Sequence, residues 1–293
     1  MRLLLGRSGF ALAIEGRDRW APYVFSTARA FGYADQAGLA MATAAVECAV
    51  GAIDVTDDLV DDEWDLELDR NRALNGSLGL AFLAQVCAAQ LGQRARLVGE
   101  LVAQQSLGSC AGQDLDLVLE AALEVAEERA LQATLRKSGS LGALACQVGA
   151  ALATDDHKLV ELVGVFGRHL GTCAQLLNDL AGVDVAQSVS AKSDLRRRKK
   201  TVPVAFMLAC AQRDGLSWVL DWYGARAGTR PAEEPAVATV LHDLGALHYT
   251  WVLADSYYRE AQTALDVLVD VTRRPELKRL KRLLPSVRAR RSA

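Results

Sequence analysis

Little in this chain of 293 residues would interrupt a helix, and nothing in it looks like a covalent or metal staple. There are only 6 prolines, and no strand-length β-branched runs recur between turn signals, which excludes a sheet-based domain. The 4 histidines, His157, His169, His242 and His248, do not cluster with the acidic motifs, so a histidine-built metal site is not expected. The 6 cysteines stand singly in apolar segments with no Cys-x-x-Cys. They read as small core residues of a reducing compartment, neither disulfides nor zinc ligands. The net charge of −3 gives no electrostatic basis for a nucleic-acid partner. Leu3-Leu4-Leu5 is cut short by Gly6, Arg7 and Ser8, and no run of ~18 residues stays free of charge and strong polarity. A soluble, cytoplasmic protein is expected, with membrane contact at most peripheral.

What the chain has in quantity is apolar helix former. Hydrophobic residues make up 51% and charged residues 24%, enough to bury a large core. Residues 9–32 read as a first helical pair. Gln36 to Asp61 reads as one long, nearly all-apolar helix, the pattern of a buried central element. Residues 63–76 read as loop or a poorly packed helix, 78–91 as helix, and 94–107 and 114–129 as two amphipathic helices. A break at Lys137-Ser138-Gly139 precedes another apolar helix, and 158–183 is long and helical. Residues 186–200 are loop-like and increasingly basic, Pro203 restarts a helix, and 238–271 holds one or two more. No boundary separates two compositions. The expectation is an all-α fold, a single-domain helical bundle spanning 1–293, with a basic tail at 273–293.

The acidic stretch Asp57-Asp58-Leu59-Val60-Asp61-Asp62 closes the long apolar segment. On a helix Asp57 and Asp61 point the same way and repel unless a cation lies between them. Oxygen ligands of this kind suit a hard divalent ion. Asp54, one turn earlier, adds a further acidic group. A second oxygen-rich cluster, Gln175, Asn178 and Asp179, ends another long apolar helix, where Leu176, Leu177 and Leu180 flank it. Facing each other, the two clusters would cage several magnesium ions around a polyanion. Lys137 and the run Lys192 to Lys200 supply the cations that a diphosphate also needs.

These four elements, in this order, resemble the trans-isoprenyl diphosphate synthases, the polyprenyl synthetase family of class I isoprenoid synthases. The resemblance implies a bundle around a central active-site cavity, a homodimer, and an allylic prenyl diphosphate held by several Mg2+ ions. It implies Asp57, Asp61, Asp62, Asn178 and Asp179 as metal ligands, with Asp58 supporting. Lys137, Lys199 and Arg198 would hold the diphosphate, and Arg70 or Arg72 would add to them. Ala52, Ile53, Gln113 and Gln175 would line the cavity, which the small residues before the first motif leave open for a farnesyl to geranylgeranyl chain.

The departures from the family concern the second substrate, isopentenyl diphosphate. A histidine two turns before the first motif is replaced by Val50. An Arg-Arg-Gly after it is replaced by acid-rich sequence from Glu63 to Arg72. A valine cannot bind a diphosphate, and added carboxylates repel one. The third aspartate of the second motif is Gly182, and Asn178 resembles the Asn-Asp start of bacterial terpene cyclase motifs. The expectation is therefore ionisation followed by cyclisation. Prenyl transfer, either chain elongation or transfer to another acceptor, is the alternative, and a non-catalytic subunit is the third reading.

Overall fold

The computed structural model describes residues 20–61, 64, 69–122, 126–183, 194–224, 230 and 233–285. Asp62, Asp184 and Lys192, with most of the acid-rich stretch after Asp61, lie outside them. The all-α expectation holds: among the described residues there are eleven α-helices and no strand. They are α1 Ala21–Ala30, α2 Gln36–Val60, α3 Arg70–Ala89, α4 Ala95–Ala121, α5 Glu127–Ala151 and α6 His157–Gly182. After these come α7 Asp194–Arg197, α8 Val202–Arg213, α9 Ser217–Gly224, α10 Glu234–Asp243 and α11 Ala246–Thr272.

The chain forms two compact units, one within Met1–Cys110, Ser140–Arg168 and Ala261–Leu284, the other within Ala111–Gly139, His169–Glu260 and Pro285–Ala293. Helices α4, α5, α6 and α11 contribute residues to both.

In the first unit, α2 and α3 pair as neighbours. Asp35 caps α2 by accepting from the backbone of Ala37 at 3.0 Å and Gly38 at 3.1 Å. Asp69 caps α3 the same way, through Asn71 and Arg72. The two helices approach closely because the contact is built from small residues. Ser77 Oγ donates to the Ala52 carbonyl at 2.7 Å and pairs with Thr56 Oγ1 at 2.7 Å. Ala52, Val55, Leu59, Ala73 and Leu80 fill the space between. Helix α2 is long and apolar enough to cross a membrane, but 56% of its most apolar window is buried inside the protein, so it is a core helix. Cys48 and Cys87 sit side by side here as free thiols, and burial together with the neighbouring thiol raises Cys48 to about 11.

Helix α3 presents an apolar stripe to solvent. Leu74, Leu78, Phe82 and Val86, spaced four residues apart, are 55%, 56%, 65% and 55% exposed. No charged residue occurs between Arg72 and Arg94.

In the second unit, Trp222, Met207 and Leu241 centre one core, and Leu119, Leu176 and Val202 another. Tyr249 stacks on Phe206 at 4.2 Å and Tyr257 lies against His169, and both pack, with Tyr258, against the second of these cores.

Several boundaries differ from expectation. Residues 95–121 form one helix, not two, and Ser138-Gly139 does not interrupt α5. Helix α3 begins at Arg70 because the Asp69 cap starts it there, within the stretch that reads as loop or poorly packed helix. Gly245, at φ 78, splits the last long segment into α10 and α11. The basic tail is not merely solvated: 275–283 is a 3-10 helix with Leu277 and Leu280 fully buried, and Arg274 donates to the Phe31 carbonyl at the end of α1.

Candidate active site

The first acidic motif ends α2. Asp57 and Asp58 lie in its last turn, and Asp61 is the residue that closes the helix, its N–H donating to the Asp57 carbonyl at 2.8 Å. All three, with Asp54, are half-buried. Cys110 lies near enough for the Asp57 carboxylate to raise its thiol, after burial, which is the larger cause. Arg70 donates through its guanidinium to the Leu59 carbonyl, one of the orphan acceptors at this helix end. That contact ties Arg70 beside the motif, while Arg72, in the same first turn of α3, is exposed. Ala52 and Ile53 are buried in α2, Ala52 against α3. Val50 is 2% exposed, deep in the core.

The second motif is built from α4, α5, α6 and α7 within the second unit. Ser138 Oγ donates to Gln175 Oε1 at 2.8 Å, and Gln175 Nε2 donates to Asp179 Oδ1 at 2.9 Å. The relay fixes one carboxylate oxygen. The other, Oδ2, is buried and has no hydrogen-bond partner among the described residues. Lys137 Nζ lies 3.9 Å from Asp116 Oδ2 on α4. Gln113, one turn from Asp116 along α4, is buried. Asn178 is exposed, next to buried Asp179. Gly182, where the third aspartate of the motif is missing, leaves room for another one: a Cβ there would meet Asp194 Oδ2 at 2.4 Å. Asp194 therefore brings a carboxylate to the position that the sequence leaves empty. Sequence reading missed it because the approach comes from a different helix.

Burial first, then the Asp194 charge and Asp116, push Asp179 up to about 7 against the opposing Gln175 hydrogen bond and Lys137 charge. Its folded pKa lies above the unfolded value, so the metal-free protein loses stability as pH rises from about 4 to about 7. Asp179→Asn is expected to flatten that slope, measured by thermal unfolding in chelator across this range.

The basic run divides its work. Lys200, 5% exposed, donates Nζ to the Glu120 carbonyl at 3.0 Å and to that of Ala122, at the end of α4. Arg198, also 5% exposed, lays its guanidinium 4.2 Å from the ring centre of Trp222. Lys199 between them is half-exposed. The structure thus commits Arg198 to the Trp222 ring.

Among the described residues no three His, Cys, Asp or Glu side chains already converge as on a bound metal. The donor set nonetheless fits a hard cation: it is all oxygen, and Asp179 Oδ2 is an acceptor that no donor among the described residues meets.

The sequence profile of the polyprenyl synthetase family matches residues 12–240. The chain belongs to that family. Its relatives include the (2E,6E)-farnesyl diphosphate synthase of Mycobacterium tuberculosis, 33% identical over 135 residues, covering 44% of this chain and 36% of that protein. The geranylgeranyl diphosphate synthase of Methanosarcina mazei is 32% identical over 164 residues, covering 55% and 48%. The chain thus spans about a third to a half of the length of these relatives. Among solved structures, a polyprenyl synthetase from Streptomyces coelicolor superposes with a TM-score of 0.77 at 25% identity, covering 92% of this chain and 86% of that one. A polyprenyl synthase from Caulobacter crescentus, complexed with calcium and isoprenyl diphosphate, gives 0.79 at 24%, covering 93% and 86%. Both named relatives are prenyl diphosphate synthases, the class of enzyme that the sequence offers as the alternative to cyclisation.

Proposed function

We propose that the chain ionises an allylic prenyl diphosphate and transfers the prenyl group, as a prenyl diphosphate synthase. Asp57, Asp58, Asp61, Asn178 and Asp179 would hold magnesium, with Asp194 standing in for the missing third aspartate. The observation that carries this is Asp179, a buried carboxylate with one oxygen fixed by Gln175 and the other met by no donor among the described residues, an arrangement that suits a cation. Magnesium, when bound, supplies the positive charge that stabilises the leaving diphosphate. Lys137 and Lys199 would hold that diphosphate, and the apolar helix walls would keep water from the carbocation. The relatives, named as farnesyl and geranylgeranyl diphosphate synthases, support transfer to isopentenyl diphosphate.

One observation favours a second reading. Val50 replaces the family's diphosphate-binding histidine and is buried, so an intramolecular cyclisation needing no isopentenyl diphosphate is the rival. Incubation with each allylic diphosphate and magnesium, with and without isopentenyl diphosphate, separates them. Elongated product only when isopentenyl diphosphate is present supports the synthase. Hydrocarbon or alcohol in its absence sinks it in favour of the cyclase, and no turnover at all points to a non-catalytic subunit.

The family expectation of a homodimer has a surface to match. The uncharged α3 stripe would meet a second copy of itself without like-charge repulsion, as a two-fold contact requires. A monomer would rarely leave such a face in water. Phe82→Glu is expected to shift the protein to monomer in sedimentation analysis. Because Phe82 is 65% exposed, the change should cost the protomer no more than about 0.5 kcal/mol.

A further inference from the structure

The short turn after α7 holds a residue in an unusual conformation. Arg198 N–H donates to the Leu195 carbonyl at 3.1 Å, and Lys199 N–H to the Asp194 carbonyl at 3.0 Å. That pair of bonds ends a helix by placing the intervening residue in the left-handed region, where glycine is the usual occupant. Here the residue is Arg198, at φ 58. A side chain there crowds its own backbone.

What holds Arg198 is on α9. Its guanidinium stacks 4.2 Å from the Trp222 ring centre. Trp222 is 1% exposed; its Nε1 donates to the Arg230 carbonyl at 3.2 Å, and Tyr223 meets it edge-on at 5.0 Å. Leu195, in the same turn, is fully buried in the same core. On the far side, Lys200 is anchored on the end of α4 and Val202 begins α8. Three consecutive cations therefore have three different placements. Arg198 goes inward onto an aromatic face, Lys200 inward onto helix carbonyls, and Lys199 is left half-exposed between two fixed points.

We infer that Trp222, acting through its stack on Arg198, is a positioning residue that aims Lys199 at the diphosphate. This rests on the proposed reading of Lys199 as a diphosphate ligand. It assigns Arg198 a different role from direct contact, and the two roles have opposite consequences for glycine. If Arg198 positions the turn, glycine adopts the same backbone without needing the stack. If Arg198 touches the diphosphate, glycine removes the contact as completely as alanine does.

The test uses the full chain and two readouts: the affinity for inorganic pyrophosphate with magnesium by calorimetry, and KM against kcat for an allylic diphosphate. Arg198→Ala is expected to weaken pyrophosphate binding and raise KM about tenfold, with kcat changed less, since the stack is lost and alanine, unlike glycine, does not adopt the left-handed backbone freely. Arg198→Gly is expected to recover most of that loss. Trp222→Phe, which keeps an aromatic face, should lose less than Trp222→Leu, with thermal unfolding run alongside to confirm folding. Because Trp222 is a core residue, the Arg198 pair decides the matter if the Trp222 variants do not fold. Arg198→Gly binding as poorly as Arg198→Ala would overturn the inference while leaving the diphosphate reading intact. So would Arg198→Ala binding like the unaltered protein. If Lys199→Ala leaves pyrophosphate binding unchanged, the reading of Lys199 fails and the inference with it.

Discussion

Asp57→Ala is expected to lower turnover by at least 10²–10³-fold with the fold retained, the scale on which single preorganised groups stabilise developing charge. The side chain lies in the last turn of α2 and is half-buried. Its loss leaves the α2–α3 contact untouched, because that contact runs through Ala52, Thr56, Ser77 and Leu80 on another face of the helix. Asp57 and Asp61, one turn apart, repel each other unless a cation joins them. The metal-free variant should accordingly be as stable as the unaltered protein or slightly more so. Asp57→Asn keeps an oxygen ligand but not the charge, and should fall between the two in activity. Product formation from an allylic diphosphate, measured against magnesium concentration, is the check. Activity within tenfold of normal at saturating magnesium would mean that Asp57 is not a ligand.

Gly112→Ala is expected to be the most damaging single methyl group in the second unit. A Cβ at Gly112 would stand 2.3 Å from the Lys137 backbone nitrogen and 2.8 Å from the Arg136 carbonyl carbon. Backbone cannot rotate away as a side chain can, so α4 and α5 must separate. The cost is about 3 kcal/mol, the upper part of the range for overpacking, and the melting temperature should fall by roughly 5–10 °C. Lys137 lies at that contact, paired with Asp116 one turn beyond Gly112, so affinity for the diphosphate should fall too. Gly99→Ala, in the same helix, is the control. Its Cβ would meet only Gln85 Oε1 at 3.5 Å, an ordinary contact. Replacing a helical glycine there should add up to about 1 kcal/mol of stability. Equal behaviour of the two variants in thermal unfolding would refute the packing argument.

These two glycines show where sequence reading stops. Both sit in a segment that reads as two helices, and glycine is a fair reason to end one. The helix instead runs from Ala95 to Ala121, and Gly112 is where a second helix comes closest. The same holds at Ser138-Gly139, which reads as a break and is a contact: Ser138 reaches Gln175, and Gly139 is buried. Local pattern cannot distinguish a glycine that ends a helix from one that lets another helix approach.

The sequence by itself determined the all-α class, the core role of Gln36 to Val60, and the identity of the acidic and basic motifs. Each of these is local: an apolar period, a cap, or charges spaced a turn apart. Only the tertiary structure decided what the charged groups do. It put Asp194 beside Gly182, left one oxygen of Asp179 without a donor among the described residues, and divided Arg198, Lys199 and Lys200 among an aromatic ring, a half-exposed position and a helix end. Burial and partners set a charge's role, and both come from residues far away in the chain.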